Sequence, residues 1–142
     1  LFVNSLAIKN TLITKEINFQ NAQLGKHVVF DCIESESIFR FDGTVLPDPL
    51  ELMNLDLALP LVFDKANFKK NKHCLLYLEN VDIYDFWLDF RFFKLWFPPR
   101  CKLDNAARIE LFNSLLQQEK KRKRYESANA LEKQMNLFRT VN

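Results

Sequence analysis

Ile17-Asn18-Phe19-Gln20-Asn21-Ala22-Gln23-Leu24, continued by Val28-Val29-Phe30-Asp31-Cys32-Ile33-Glu34-Ser35, holds the pattern that decides the fold. Stepping by eleven through Phe19 gives Ile8, Phe19, Phe30, Phe41, Leu52 and Phe63, all large and apolar. Two residues earlier, Leu6, Ile17, Val28, Phe39, Leu50 and Leu61 are apolar as well. Five residues after the first column come Ile13, Leu24, Ser35, Leu46, Leu57 and Phe68, with one polar exception. At a 48% hydrophobic background, two fully apolar columns of six arise by chance roughly once in several thousand trials, so the repeat is a property of the fold.

The column just after the first is polar at five of six positions: Lys9, Gln20, Asp31, Asp42, Met53 and Asp64. An eleven-residue helical supercoil does not fit. At about 98° per residue the three apolar columns do not share one helix face. Apolar residues two apart with a polar residue following read instead as short strands. The column Thr11, Ala22, Ile33, Thr44, Leu55 and Ala66 is mostly small and suits a tight bend. Such units wind a solenoid whose coils stack at about 4.8 Å. The phase slips after Phe68. The pattern resumes four residues late at Leu76, Leu78 and Ile83, then at Leu88, Phe90 and Leu95, so an insertion is expected near Lys69–Lys72. Eight units at two per coil make about four coils, roughly 19 Å of stack. Pro47, Pro49 and Pro60 all avoid the strand-centre columns, as a residue without an N–H should.

Ala22-Gln23-Leu24, Ala66-Asn67-Phe68, Val81-Asp82-Ile83, Thr11-Leu12-Ile13 and Thr44-Val45-Leu46 place a small residue two before a large apolar one. Over residues 6–97 this resembles the pentapeptide-repeat family, in a divergent bacterial branch whose central spacing alternates five and six. The resemblance implies a mainly β fold, a right-handed quadrilateral β-helix. Some members of that family resemble duplex DNA and shield type II topoisomerases. Residues 1–97 hold ten Lys/Arg against thirteen Asp/Glu, a net of −3, and residues 98–142 ten against five, a net of +5. That balance is too weakly acidic for mimicry.

Pro98-Pro99 marks a change in kind. Beyond Asp104, a suitable N-cap, Ile109, Phe112, Leu115 and Leu116 share a helix face, and Tyr125, Ala128, Leu131, Met135 and Phe138 form a second stripe. Arg124–Leu131 resembles the tyrosine-and-small-residue helical hairpin that follows such solenoids in some bacterial proteins. The expected organisation is a β-helix over 1–97 and a hairpin over 98–142 capping the last coil's exposed edge, as one folding unit.

Two glycines, Gly25 and Gly43, exclude glycine-rich phosphate loops. Three cysteines without paired spacing argue against a disulfide framework and favour a reducing, cytoplasmic setting. The chain begins at Leu1 without Met, so a longer precursor is expected. No apolar run reaches the ~18 residues of a membrane span.

His27, His73, Cys32, Cys74 and Cys101 show no metal-ligand spacing, and a structural role is expected for them. No metal or cofactor site is expected. His73-Cys74 lies in the phase slip, where a loop would expose both, leaving a catalytic Cys/His pair as the outlying alternative. Asp82, Asp85 and Asp89 read as solvated surface. Phe86, Trp87, Phe90, Phe92, Phe93, Trp96 and Phe97 read as the packed joint between solenoid and cap. Lys120-Lys121-Arg122-Lys123-Arg124 is the one distinctive interaction candidate: five cations that would attract nucleic acid without sequence specificity, an anionic membrane surface or an acidic protein. Its competing role is helix-end chemistry. The resulting expectation is a non-enzymatic interaction or scaffold module with a protein partner, the electrostatic binder being the alternative and the topoisomerase-binding DNA mimic ranking below it.

Overall fold

The computed structural model describes residues 2–63, 66 and 73–142, with side chains from Asn4 onward. Strands β1 (Phe2–Ile13), β3 (Gln23–Ser35), β5 (Leu50–Leu57), β7 (Cys74–Glu79) and β9 (Phe93–Leu95) form one parallel sheet in that order. Two narrow sheets pair β2 (Ile17–Asn18) with β4 (Phe39–Arg40), and β6 (Leu61–Val62) with β8 (Phe86–Trp87), also in parallel. Helices α1 (Asn105–Lys121) and α2 (Tyr125–Val141) follow. The chain is a mainly β solenoid of about four coils with a C-terminal helical hairpin.

The register shows two eleven-residue units per coil. Leu6 lies beside Val28 and Ile8 beside Phe30, while Ile17 pairs with Phe39 and Val28 with Leu50. The coil after β5 is four residues longer, setting Leu50 against Leu76 and Leu52 against Leu78. The expected bulge at Lys69–Lys72 lies outside the described residues.

The last coil departs from expectation. Leu61 pairs with Phe86, two residues before Leu88, and Leu95 joins the Leu76 column. A tight turn follows β8. The Asp89 carboxylate accepts the Arg91 N–H at 3.0 Å, and its carbonyl accepts those of Phe92 (2.9 Å) and Phe93 (3.1 Å). This closes the corner early, shortens the step from β8 to β9 and sets Leu95 in the Leu76 column.

The bends also fall one residue before the small column. Asn10, Asn21, Cys32, Gly43, Asn54 and Asn80 all have φ between +48° and +69°. Asn and Gly tolerate this left-handed backbone best. The next residues, such as Ala22, Ile33 and Thr44, are buried. The corner asparagines bond along the stack, Asn80 Nδ2 donating to Asn54 Oδ1 and Asn54 Nδ2 to Asp31 Oδ1, both at 2.8 Å. A Cβ at Gly43 would collide with the Asn21 side-chain oxygen. Gly43→Ala is therefore expected to cost about 2 kcal/mol in urea unfolding. Cys32→Ala, at an equivalent corner already carrying a Cβ, is expected to be near neutral.

Inside the coil, phenylalanines stack: Phe19 on Phe41 at 5.5 Å and Phe41 on Phe63 at 4.7 Å between ring centres. Ser35, the polar exception in its column, is buried with its hydroxyl donating to the Ser37 carbonyl.

Candidate interaction surface at the solenoid–hairpin joint

A solenoid's last coil leaves backbone groups without a next strand to meet, and buried orphans are costly. The hairpin supplies the partners. Gln118 donates to the Ile83 carbonyl at 2.8 Å, and Arg122 to those of Phe86 (2.6 Å) and Tyr84 (3.1 Å). Arg124 donates to the Leu88 carbonyl at 2.9 Å, and Ser127 Oγ accepts the Phe90 N–H at 2.9 Å. Gln134 alone serves three groups, donating to Phe90 and Phe93 carbonyls and accepting from Leu95 N–H. Beneath them Phe97, Phe112 and Phe138 pack within 5.6–6.2 Å of one another.

The basic run lies at the hairpin turn. Helix α1 is capped by Asp104, whose carboxylate accepts the Ala107 N–H, and ends in a paired-bond C-cap: Lys123 N–H to the Lys120 carbonyl and Arg124 N–H to that of Glu119. Lys123 takes the left-handed position, φ +60°. This splits the five cations. Arg122 and Arg124 turn inward, their guanidinium carbons 4.2 and 5.6 Å from the Trp87 ring centre, and Arg124 also pairs with buried Glu119 at 3.0 Å. Lys120, Lys121 and Lys123 are exposed. Burial raises the Glu119 pKa above its usual value, although bonds from Ser127 and Arg124 and the charges of Arg124 and Arg122 oppose the rise.

Beside the turn lies a crevice of about 760 Å³, lined in part by Phe63, Phe92, Phe93, Asp89, Arg91, Lys123, Arg124, Tyr125 and Glu126. Arg91 grips Asp89 through Nε and a terminal nitrogen, at 2.7–3.1 Å, and reaches Glu126 on α2 with the other terminal nitrogen at 2.5 Å. Burial alone would raise the Asp89 pKa, but Arg91's bonds and charge, with the Arg124 charge, hold it below the usual carboxylate range. A depressed carboxylate stabilises the fold above its unfolded pKa, and that contribution is lost as pH falls through the folded value. Thermal melts from pH 6 down to pH 2 should show acid destabilisation that is smaller in Asp89→Asn, most of the difference appearing below about pH 4.

Cys74 is buried and donates to the Pro47 carbonyl at 2.8 Å, while His73 is exposed, so the expected joint exposure of the pair is not found. Burial, then the Asp48 charge, pushes the Cys74 thiol pKa well up, which disfavours the reactive thiolate. Cys32 is exposed, and its bond to Asp31, with some desolvation, raises its pKa. Asp82 caps a 3-10 turn over Ile83–Asp85 by accepting the Tyr84 N–H. Phe86, Phe90 and Phe93 are core residues, and Phe92 is 40% exposed under Arg91. Among the described residues no group of three or more His, Cys, Asp or Glu could hold a metal ion, and no helix is long and apolar enough to cross a membrane.

One cluster escaped the sequence reading. On the outer face of the large sheet Glu51 is 1% exposed and pairs with both His27 and Arg100. Arg100 also lies over the Tyr77 ring, 5.4 Å from its centre, and Val29, Met53, Tyr77 and Cys101 form a small second core. Burial, then bonds with Glu79 and Cys101, raises the Tyr77 pKa. The segment after Pro99 is thus pinned across the sheet. The signal was available: Val29, Glu51 and Tyr77 share one outward column, where a lone carboxylate calls for a cationic partner. Compared with known families, curated proteins and solved structures, the chain matches none.

Proposed function

We propose that the chain is a non-enzymatic interaction module, a divergent relative of the pentapeptide-repeat proteins whose capped end presents the joint crevice to a protein partner. The observation that carries this reading is the division of labour at the joint. Arg122, Arg124, Ser127 and Gln134 fasten the hairpin to the last coil, and the rigid frame they make holds a concave surface with Tyr125 (59% exposed) and Phe92 on view. Solenoids act through such fixed surfaces.

A second reading has its own support. The three exposed lysines of the turn present positive charge to an anionic partner. A photo-crosslinking residue at position 125, compared with one at position 12 on β1, separates the two in lysate with and without nuclease. The module reading expects one defined protein product from position 125 that persists with nuclease and in the Lys120→Ser/Lys121→Ser/Lys123→Ser variant. Loss of the product with nuclease or in that variant favours the electrostatic reading. Equal products from both positions would overturn the joint as the working surface. Arg122 and Arg124 must stay in place, because removing them unpairs the last coil.

A further inference from the structure

One ion contact in the crevice carries an inference that rests on the joint as the working surface and goes beyond the protein-partner reading given above. We propose that the crevice binds a small organic carboxylate carried on a flat apolar body, and that the Glu126 carboxylate occupies the place of the ligand's carboxylate in the free protein.

Arg91 is a prepared receptor. Asp89 fixes two of its nitrogens, which orients the guanidinium and directs its remaining terminal nitrogen at Glu126. A guanidinium held in this way offers a carboxylate one charge-assisted N–H bond at a fixed position. The Glu126 side chain is 78% exposed, so it holds its place weakly and can leave into water at little cost. Arg124 is paired with Glu119, which leaves Arg91 and Lys123 facing Asp89 and Glu126 in the lining, so a ligand carboxylate that displaces Glu126 restores the negative charge it removes. Phe92 and Tyr125 supply aromatic surface for the ligand body. The volume of about 760 Å³ lies in the range of small-molecule sites.

The test is fluorescence titration of the whole chain with 2-naphthoate at low salt, with 2-naphthamide as the uncharged control. The proposal expects saturable one-site binding of naphthoate and binding of naphthamide weaker by about tenfold. It expects Arg91→Ala to lose about tenfold in affinity and Glu126→Gln to gain several-fold, the opposite sign, because a competing carboxylate is gone. Circular dichroism establishes that each variant is folded, and Arg91→Lys, which keeps the charge without the guanidinium that Asp89 orients, should lie between Arg91→Ala and the native chain. Absence of saturable binding, naphthamide binding as tightly, or Glu126→Gln weakening the complex would overturn the proposal. A peptide ending in Gly-Gly-Phe that binds more tightly than naphthoate would reassign the crevice to a protein C-terminus. Failure here with a defined crosslink at position 125 leaves the module reading standing, and the reverse separates them equally well.

Discussion

Phe41→Ala is expected to lower unfolding free energy by about 3–5 kcal/mol, the cost of truncating a buried aromatic whose neighbours cannot close the gap. Phe41 is 2% exposed and stacks between Phe19 and Phe63, with Phe39 alongside at 6.2 Å. Removing it opens the middle of the aromatic column instead of its end. Its neighbours are held in register by parallel pairing in the large sheet and the two narrow ones and collapse poorly. Phe92→Ala is the matched control. Phe92 is 40% exposed, and its loss should cost about 1 kcal/mol or less. Urea titration followed by circular dichroism measures both. Equal costs would mean that the phenylalanine column is not the core.

Gln134→Leu carries the second large effect and tests the other half of the architecture. The change keeps side-chain bulk while removing two donated bonds and one accepted bond at the last coil. Each buried backbone group left unpaired costs about 1–3 kcal/mol, and water reaching part of this site reduces the sum to about 3 kcal/mol. Gln134→Glu keeps the acceptor for the Leu95 N–H and loses both donors, so its loss should come close to that of Leu. A variant as stable as the native chain would show that α2 packs on the coil without terminating its hydrogen bonding.

The solenoid was legible because a coil's interior is one-dimensional: residues eleven and twenty-two apart meet the same surroundings, so Leu6, Ile17, Val28 and Phe39 had to be alike. The slip before Leu76 was legible for the same reason. The shortened last coil was not. A local turn at Asp89–Phe92 competes with the repeat between β8 and β9, and Leu88, Phe90 and Leu95 satisfy the apolar pattern in either register. The corner was misplaced by one residue because Thr11, Ala22 and Thr44 look like bend formers, whereas the backbone requirement falls on Asn10, Asn21 and Gly43. The basic run was legible as a feature but not in its division. Which of five consecutive cations point inward depends on where α1 ends, and the left-handed cap at Lys123 settles that by geometry. Glu51, His27 and Arg100 are distant in sequence and meet only through the register and the path of the chain after Pro99.

Native-state hydrogen exchange across residues 83–95, comparing Arg122→Ser/Arg124→Ser with Lys120→Ser/Lys121→Ser/Lys123→Ser, tests most directly the claim that the hairpin is a cap whose inward cations terminate the sheet. The arginine pair contacts carbonyls of Tyr84, Phe86 and Leu88, and the three lysines are exposed. Faster exchange over this segment is expected in the arginine variant and native protection in the lysine variant. Equal protection in both variants, or loss of protection with the lysines alone, would contradict it.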